Sequence, residues 1–101
     1  MLKNILPVIC LLFFVSCAEK KESAIDISNG QKIFSVNCTS CHGIDGKKGL
    51  AGAKDLSKSA LSKSEMATII RLGKGNMTGY GDLLSKEEID QVISYIITLR
   101  K

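Results

Sequence analysis

Residues Cys38-Thr39-Ser40-Cys41-His42 constrain this chain more than any other stretch. They spell C-x-x-C-H, the signature through which haem is attached covalently to protein. Each thiol can add across one haem vinyl group to become a thioether. The adjacent histidine then offers a neutral imidazole nitrogen to the iron. Two cysteines three positions apart lie on one side of a helical turn, and the next residue is carried round beneath the ring. Other uses of a close cysteine pair fit less well. A thioredoxin-type pair requires a βαβ pattern, and none is visible around it. A structural zinc site requires four ligands, and past residue 17 the chain offers Cys38, Cys41 and His42. A disulfide across so short a loop would stabilise little.

A covalent haem also answers a question of size. The 101 residues begin with a removable leader, which leaves one small domain with a modest core. That core is poor in aromatics, with no Trp, two Tyr and three Phe in the whole chain, and Phe13 and Phe14 lie in the leader. A large flat apolar group would fill the deficit, so the haem-free chain is expected to be largely unfolded. The formal charge of +4 is modest, falls by one when Lys3 leaves with the leader, and is offset further by haem propionates. Neither that balance nor any basic stripe with interleaved aromatics points to nucleic acid.

Residues 1–16 read as a secretion signal: Lys3 gives a charged start, and Ile5 to Val15 is apolar. That run is too short to cross a hydrocarbon layer of about 30 Å, which needs roughly 20 residues. It ends in Phe14-Val15-Ser16-Cys17, which resembles the bacterial lipobox, with Phe14 standing where Leu is preferred. By that resemblance Cys17 is lipidated and becomes the mature N-terminus. The alternative is ordinary cleavage near Ala18. Cys10, inside the apolar run, has no such context. Export agrees with haem, because a close thiol pair outside the cytoplasm needs a use. Residues 17–25 form a polar tether after the anchor cysteine, with a reach of about 15–20 Å. Such a tether keeps the domain near its membrane and favours redox partners that are membrane-associated.

Residues 26–101 read as one all-α domain of three main helices joined by long loops. Asp26 or Ser28 caps the first helix, which runs to about Asn37, with Ile27, Gly30, Ile33 and Phe34 on one face. Gly43, Gly46, Gly49 and Gly52 mark a loop after His42, followed by Leu56 and Leu61 as apolar anchors. The loop lacks the G-K-[ST] of a phosphate cradle. Ser62 and Glu65 form a capping box, with Leu61 and Met66 as its staple, for a helix ending near Leu72 at Gly73. Met66, Ile69 and Ile70 are its buried face. Ser85 and Glu88 form a second capping box, with Leu84 and Ile89 as staple, for a last helix running to the end of the chain. Its stripe is Ile89, Val92, Ile93 and Ile96, with Tyr95 beside it.

His42 is the only histidine, which excludes a second imidazole on the iron. The other axial position is left to Met, Lys, water or nothing. Met66 lies on an apolar helical face, where methionine is most often core filler. Met77 lies among glycines in the loop Lys74 to Gly81, where an apolar side chain has no ordinary packing reason. Met77 is therefore the stronger candidate. Met/His ligation raises the reduction potential and suits reversible electron transfer.

With these residues in place, the sequence resembles the small mono-haem class I cytochromes c of bacteria. The resemblance rests on Gly30-x-x-x-Phe34 before Cys38-x-x-Cys41-His42-Gly43. It continues through Ile70-Arg71-x-Gly73-x-Gly75-x-Met77, then Leu84-Ser85-x-Glu87-Glu88-Ile89 and Tyr95-Ile96. It implies a class I cytochrome c fold, with one haem c among the helices and the first and last helices crossing near Gly30, Phe34 and Tyr95. By position it implies Cys38 and Cys41 as covalent haem attachments and His42 and Met77 as axial ligands. The sequence departs from the family pattern at two places. Thr78 follows the ligand Met where Pro is frequent. Lys54 and Asp55 stand where a Pro is frequent before Leu56, in the region whose backbone carbonyl orients the histidine.

The expected function is a one-electron carrier of a respiratory or other extracytoplasmic redox chain, monomeric and not an enzyme. It would be exported to the periplasm or the outer face of a bacterial membrane. Lysines 47, 48, 54, 58, 74 and 86 could form a docking rim for an acidic redox partner. The alternatives are a haem-c subunit of a larger membrane oxidase or dehydrogenase, or a gas-binding haem protein with an open sixth position.

Overall fold

Asp26 opens the first helix of the computed structural model, which describes residues 25–101; the leader, Cys17 and the tether up to residue 24 lie outside the described residues. The Asp26 backbone is extended, and its carboxylate accepts from the Asn29 N–H at 3.1 Å, capping α1, Ile27–Asn37. The chain turns at Cys38 into a one-turn helix, α2, Thr39–His42, which Gly43 ends. A long loop with two 3₁₀ turns, Leu50–Gly52 and Leu56–Lys58, leads to α3, Lys63–Leu72. A second loop leads to α4, Lys86–Thr98. Among the described residues there is no strand, only an isolated bridge between Lys74 and Met77. The all-α expectation holds.

Local chemistry sets the ends of α3 and α4. The Ser62 hydroxyl accepts from the Glu65 N–H and the Glu65 carboxylate accepts from the Ser62 N–H. Ser85 and Glu88 repeat the exchange at 3.1 and 3.0 Å. Each box satisfies two N–H groups that the first helical turn would otherwise leave bare.

The core forms where α1 crosses α4, with α3 against it. Its buried members are Ile33 and Phe34 from α1, Met66 and Ile70 from α3, and Ile89, Val92, Ile93 and Ile96 from α4. Gly30 makes the crossing possible: a Cβ there would lie 2.0 Å from the Gln91 carbonyl oxygen. One turn further on, the Phe34 and Tyr95 rings meet at 5.3 Å between centroids with a 55° tilt. Such tilted pairs add about 0.5–1.5 kcal/mol beyond area burial.

The structure departs from the sequence reading at three places. Ile27 is 47% exposed, because it precedes the turn at which α4 begins to cover α1. Leu61 is 37% exposed and not an anchor; its main-chain oxygen instead accepts from Arg100 Nη2 at 2.7 Å. α4 stops at Thr98, and the chain bends so that the Lys101 N–H donates to the Ser57 carbonyl at 3.0 Å.

Candidate haem-binding site

The two cysteines sit at the junction of α1 and α2. Cys38 is half-buried against the core, Cys41 is exposed, and both are free thiols. Burial pushes the Cys38 thiol up to about 11, and the neighbouring Cys41 adds to the shift. No group of three or more His, Cys, Asp or Glu side chains that could hold a metal ion gathers among the described residues.

His42 is oriented by main chain. Its Nδ1 lies 3.1 Å from the Lys54 carbonyl oxygen. A carbonyl can only accept, so Nδ1 carries the proton and Nε2 keeps its lone pair for a metal. Several bonds place that carbonyl. The Leu56 N–H donates to the Gly46 carbonyl at 2.9 Å, and the Lys48 N–H donates to the His42 carbonyl at 2.9 Å. Beside them, the Asp55 carboxylate accepts from the Ser57 N–H at 2.9 Å and from the Ser57 hydroxyl at 2.6 Å. The Ser57 hydroxyl bond is the main reason the Asp55 carboxyl is held below its ordinary value. Lys54 thus supplies from its backbone what the family pattern associates with a proline-containing segment.

Met77 lies at the end of a tight turn through Gly75 and Asn76, closed by Lys74 N–H to Met77 carbonyl at 3.1 Å and Met77 N–H to Lys74 carbonyl at 2.9 Å. Gly73 leaves α3 at φ 77°, and a Cβ there would lie 2.5 Å from the Met77 carbonyl oxygen. The loop returns alongside α3, with Tyr80 N–H on the Ile70 carbonyl and Gly81 N–H on the Arg71 carbonyl. The two methionines differ in surroundings. Met66 is buried in the core, and its sulfur accepts from Arg100 Nη2 at 3.5 Å. Met77 is half-buried at the core margin.

These residues fit a covalent haem. Two free thiols share one turn, an imidazole keeps Nε2 available, and a thioether stands in a separate loop. Cys38, Leu56, Met77 and Tyr80 all border the same apolar cluster while only partly covered. The structure adds two contacts that sequence reasoning missed. Asn76 Nδ2 donates to the Ala51 carbonyl at 3.2 Å, and the Tyr80 hydroxyl donates to the Asn37 carbonyl at 3.0 Å. Burial, and then the nearby Cys38 and Cys41, raise the Tyr80 pKa. Both acceptors are backbone oxygens, which leave no mark in a sequence. The one available signal was a polar residue directly before Met77.

Known proteins resemble this chain over most of its described length. Residues 26–96 match the family described as cytochrome c oxidase, cbb3-type, subunit III. A cytochrome c6-like protein of Nostoc sp. is 36% identical over 91% of this chain and 87% of its own length. The crystal structure of cytochrome c6C from Synechococcus sp. PCC 7002 matches at a TM-score of 0.61 and 37% identity, over 69% of this chain and 92% of that one. Cytochrome c6 of the diatom Phaeodactylum tricornutum matches at a TM-score of 0.64 and 31% identity, over 72% of this chain and 92% of that one. The chain belongs to the small class I cytochromes c, in their cytochrome c6-like branch. As a member it carries one covalent haem c and serves electron transfer, not catalysis.

Proposed function

We propose that Cys38 and Cys41 hold the haem as thioethers and that His42 and Met77 are the axial ligands of a six-coordinate iron in an extracytoplasmic one-electron carrier. The observation that carries this reading is the Lys54 carbonyl on His42 Nδ1, which fixes the tautomer and leaves Nε2 as the ligating atom. The Arg100 bond to the Met66 sulfur supports Met77 as the thioether partner, because Met66 is already engaged in the core. The bound haem supplies the one-electron iron couple; the chain supplies its ligands, its apolar surround and its docking surface. His42 and Met77 would fill both axial positions from the chain and so keep small substrates from the iron. A Met77→Ala protein should lose the sulfur-to-iron charge-transfer band of the oxidised state. Retention of that band would remove Met77 from the assignment.

In the same reading, residues 1–16 are the export signal, 17–25 the anchor cysteine and tether, and 26–101 the monomeric cytochrome domain. Lipid on Cys17 holds the domain at the periplasmic or outer face of a bacterial membrane, near membrane-associated redox partners. No helix among the described residues is long and apolar enough to cross a membrane. Cys17→Ser should release the protein from membranes; a protein that stays bound has another anchor. The six lysines 47, 48, 54, 58, 74 and 86 are all exposed. If they steer an acidic partner, turnover with that partner slows as salt rises, since exposed charges are screened beyond about 10 Å at 0.1 M salt.

The description of the matching family as an oxidase subunit supports a second reading, a haem-c subunit of a larger membrane complex. Co-purification with such a complex from detergent-solubilised membranes separates it from a free carrier.

A further inference from the structure

Class I cytochromes c frequently stiffen the loop of the axial methionine with a proline after it, and this chain has Thr78 there. Gly73, Gly75 and Gly79 surround Met77, with Gly73 at φ 77° and Gly75 at φ 58°. The turn closed by Lys74 and Met77 is internal to the loop, so it shapes the loop without fastening it to the half of the molecule that carries His42.

Two side chains make that connection, one on each side of Met77. Asn76, the residue before it, donates to the Ala51 carbonyl at 3.2 Å, across 25 positions of sequence. Tyr80, three residues after it, donates to the Asn37 carbonyl at 3.0 Å, directly before the first attachment cysteine. The acceptors belong to the two segments that flank Cys38 to His42. Ala51 is moreover the one non-glycine residue at positive φ among the described residues (φ 53°, ψ 31°), although glycines stand nearby at 49 and 52. A left-handed alanine is disfavoured and persists where surrounding contacts hold it. The Asn76 bond to its carbonyl is such a contact.

We propose that Asn76 and Tyr80 are the positioning residues that keep Met77 on the iron, as two latches that close the methionine loop onto the histidine half in place of the absent proline. The inference rests on the assignment of Met77 as axial ligand. Loss of either latch leaves Met77 in place at rest but raises the population of loop-open protein, so an external ligand competes better for the sixth position. Each latch is a single neutral hydrogen bond, so its removal should strengthen external-ligand binding about fivefold, the factor such a bond supplies.

The test is a titration of the oxidised, haem-loaded protein with imidazole, read by its visible spectrum, on wild type, Asn76→Asp, Tyr80→Phe and the double variant. Asn76→Asp keeps the shape and removes the donor; Tyr80→Phe removes the hydroxyl alone. Each single variant should bind imidazole about fivefold more tightly than wild type and the double variant more tightly again, with the sulfur–iron band retained before imidazole is added. Asn29→Ala serves as control. It breaks the Asn29–Gln91 side-chain bond at the α1–α4 crossing and should lower thermal stability without changing imidazole affinity. The proposal is overturned if both single variants bind imidazole as wild type does, or if Asn29→Ala tightens binding as much as they do. Met77→Ala separates the underlying assignment: a retained sulfur–iron band in that variant removes the ligand and the latches together. Loss of the band with unchanged latch variants removes the latches alone.

Discussion

The Nδ1 atom of His42 and the main-chain oxygen of Lys54 lie 3.1 Å apart, across a loop of twelve positions. A backbone acceptor makes the bond indifferent to the Lys54 side chain and dependent on the loop that aims it. A hydrogen bond at this nitrogen makes the imidazole a better donor and favours the more highly charged iron. Lys54→Ala should therefore leave the midpoint potential unchanged. Asp55→Ala removes the carboxylate that holds the adjoining turn through Ser57, and should raise the potential by about 30–60 mV. That corresponds to a roughly three- to tenfold loss of preference for the oxidised state. Equilibrium redox titration of both variants checks the pair.

Asp55 also gives the domain an acid-sensitive joint. Its carboxyl is held below its ordinary value, first by the Ser57 hydroxyl. A depressed folded pKa contributes stability that is fully present above the unfolded value of about 3.9 and is lost as pH falls through the folded one. Asp55→Asn keeps an acceptor oxygen but does not ionise. Its acid-unfolding curve should be flatter than that of wild type below about pH 4 and parallel to it above.

The helix crossing should be intolerant of a single methyl group. Gly30→Ala would gain about 1 kcal/mol of helix propensity. The added Cβ, however, would meet the Gln91 carbonyl oxygen at 2.0 Å, and a main-chain oxygen cannot rotate away. Overpacking of this kind costs about 1–3 kcal/mol and more where backbone must move. A net loss of about 2 kcal/mol should lower the melting temperature of the haem-loaded protein by roughly 10 °C. Thermal melting followed at a helical circular-dichroism band measures it.

The scarcity of core aromatics bears on the haem-free state. Phe34 and Val92 are the largest fully buried side chains among the described residues, and Cys38, Leu56, Met77 and Tyr80 border the core only partly covered. A Cys38→Ala/Cys41→Ala protein, which cannot hold haem covalently, should be largely unfolded at neutral pH. A far-ultraviolet circular-dichroism spectrum with most of the helical signal missing is the expected result.

What was legible in the sequence was chemistry written in contiguous residues. The C-x-x-C-H run, both capping boxes and the Ile89–Ile96 stripe depend on neighbours within one or two helical turns, so spacing alone carries them; for the first helix it left Asp26 and Ser28 as alternative caps, and the fold uses Asp26. Gly30 and Phe34 were legible too, through their spacing and their resemblance to a known crossing. Tertiary structure decided what depends on chain geometry at long range. It exposed Ile27 and Leu61, which hydrophobicity alone would have buried, because burial depends on where α4 and Arg100 come to lie. It brought Arg100 to the sulfur of Met66, the methionine whose helical spacing already placed it in the core. It also brought the Lys54 carbonyl to His42, Ala51 to Asn76 and Asn37 to Tyr80. In each of these the acceptor is a backbone oxygen that every residue possesses, so no choice of side chain announces it. The C-x-x-C-H signature lies in five adjacent residues; the contacts of Asn76 with Ala51 and of Tyr80 with Asn37 exist only in the fold.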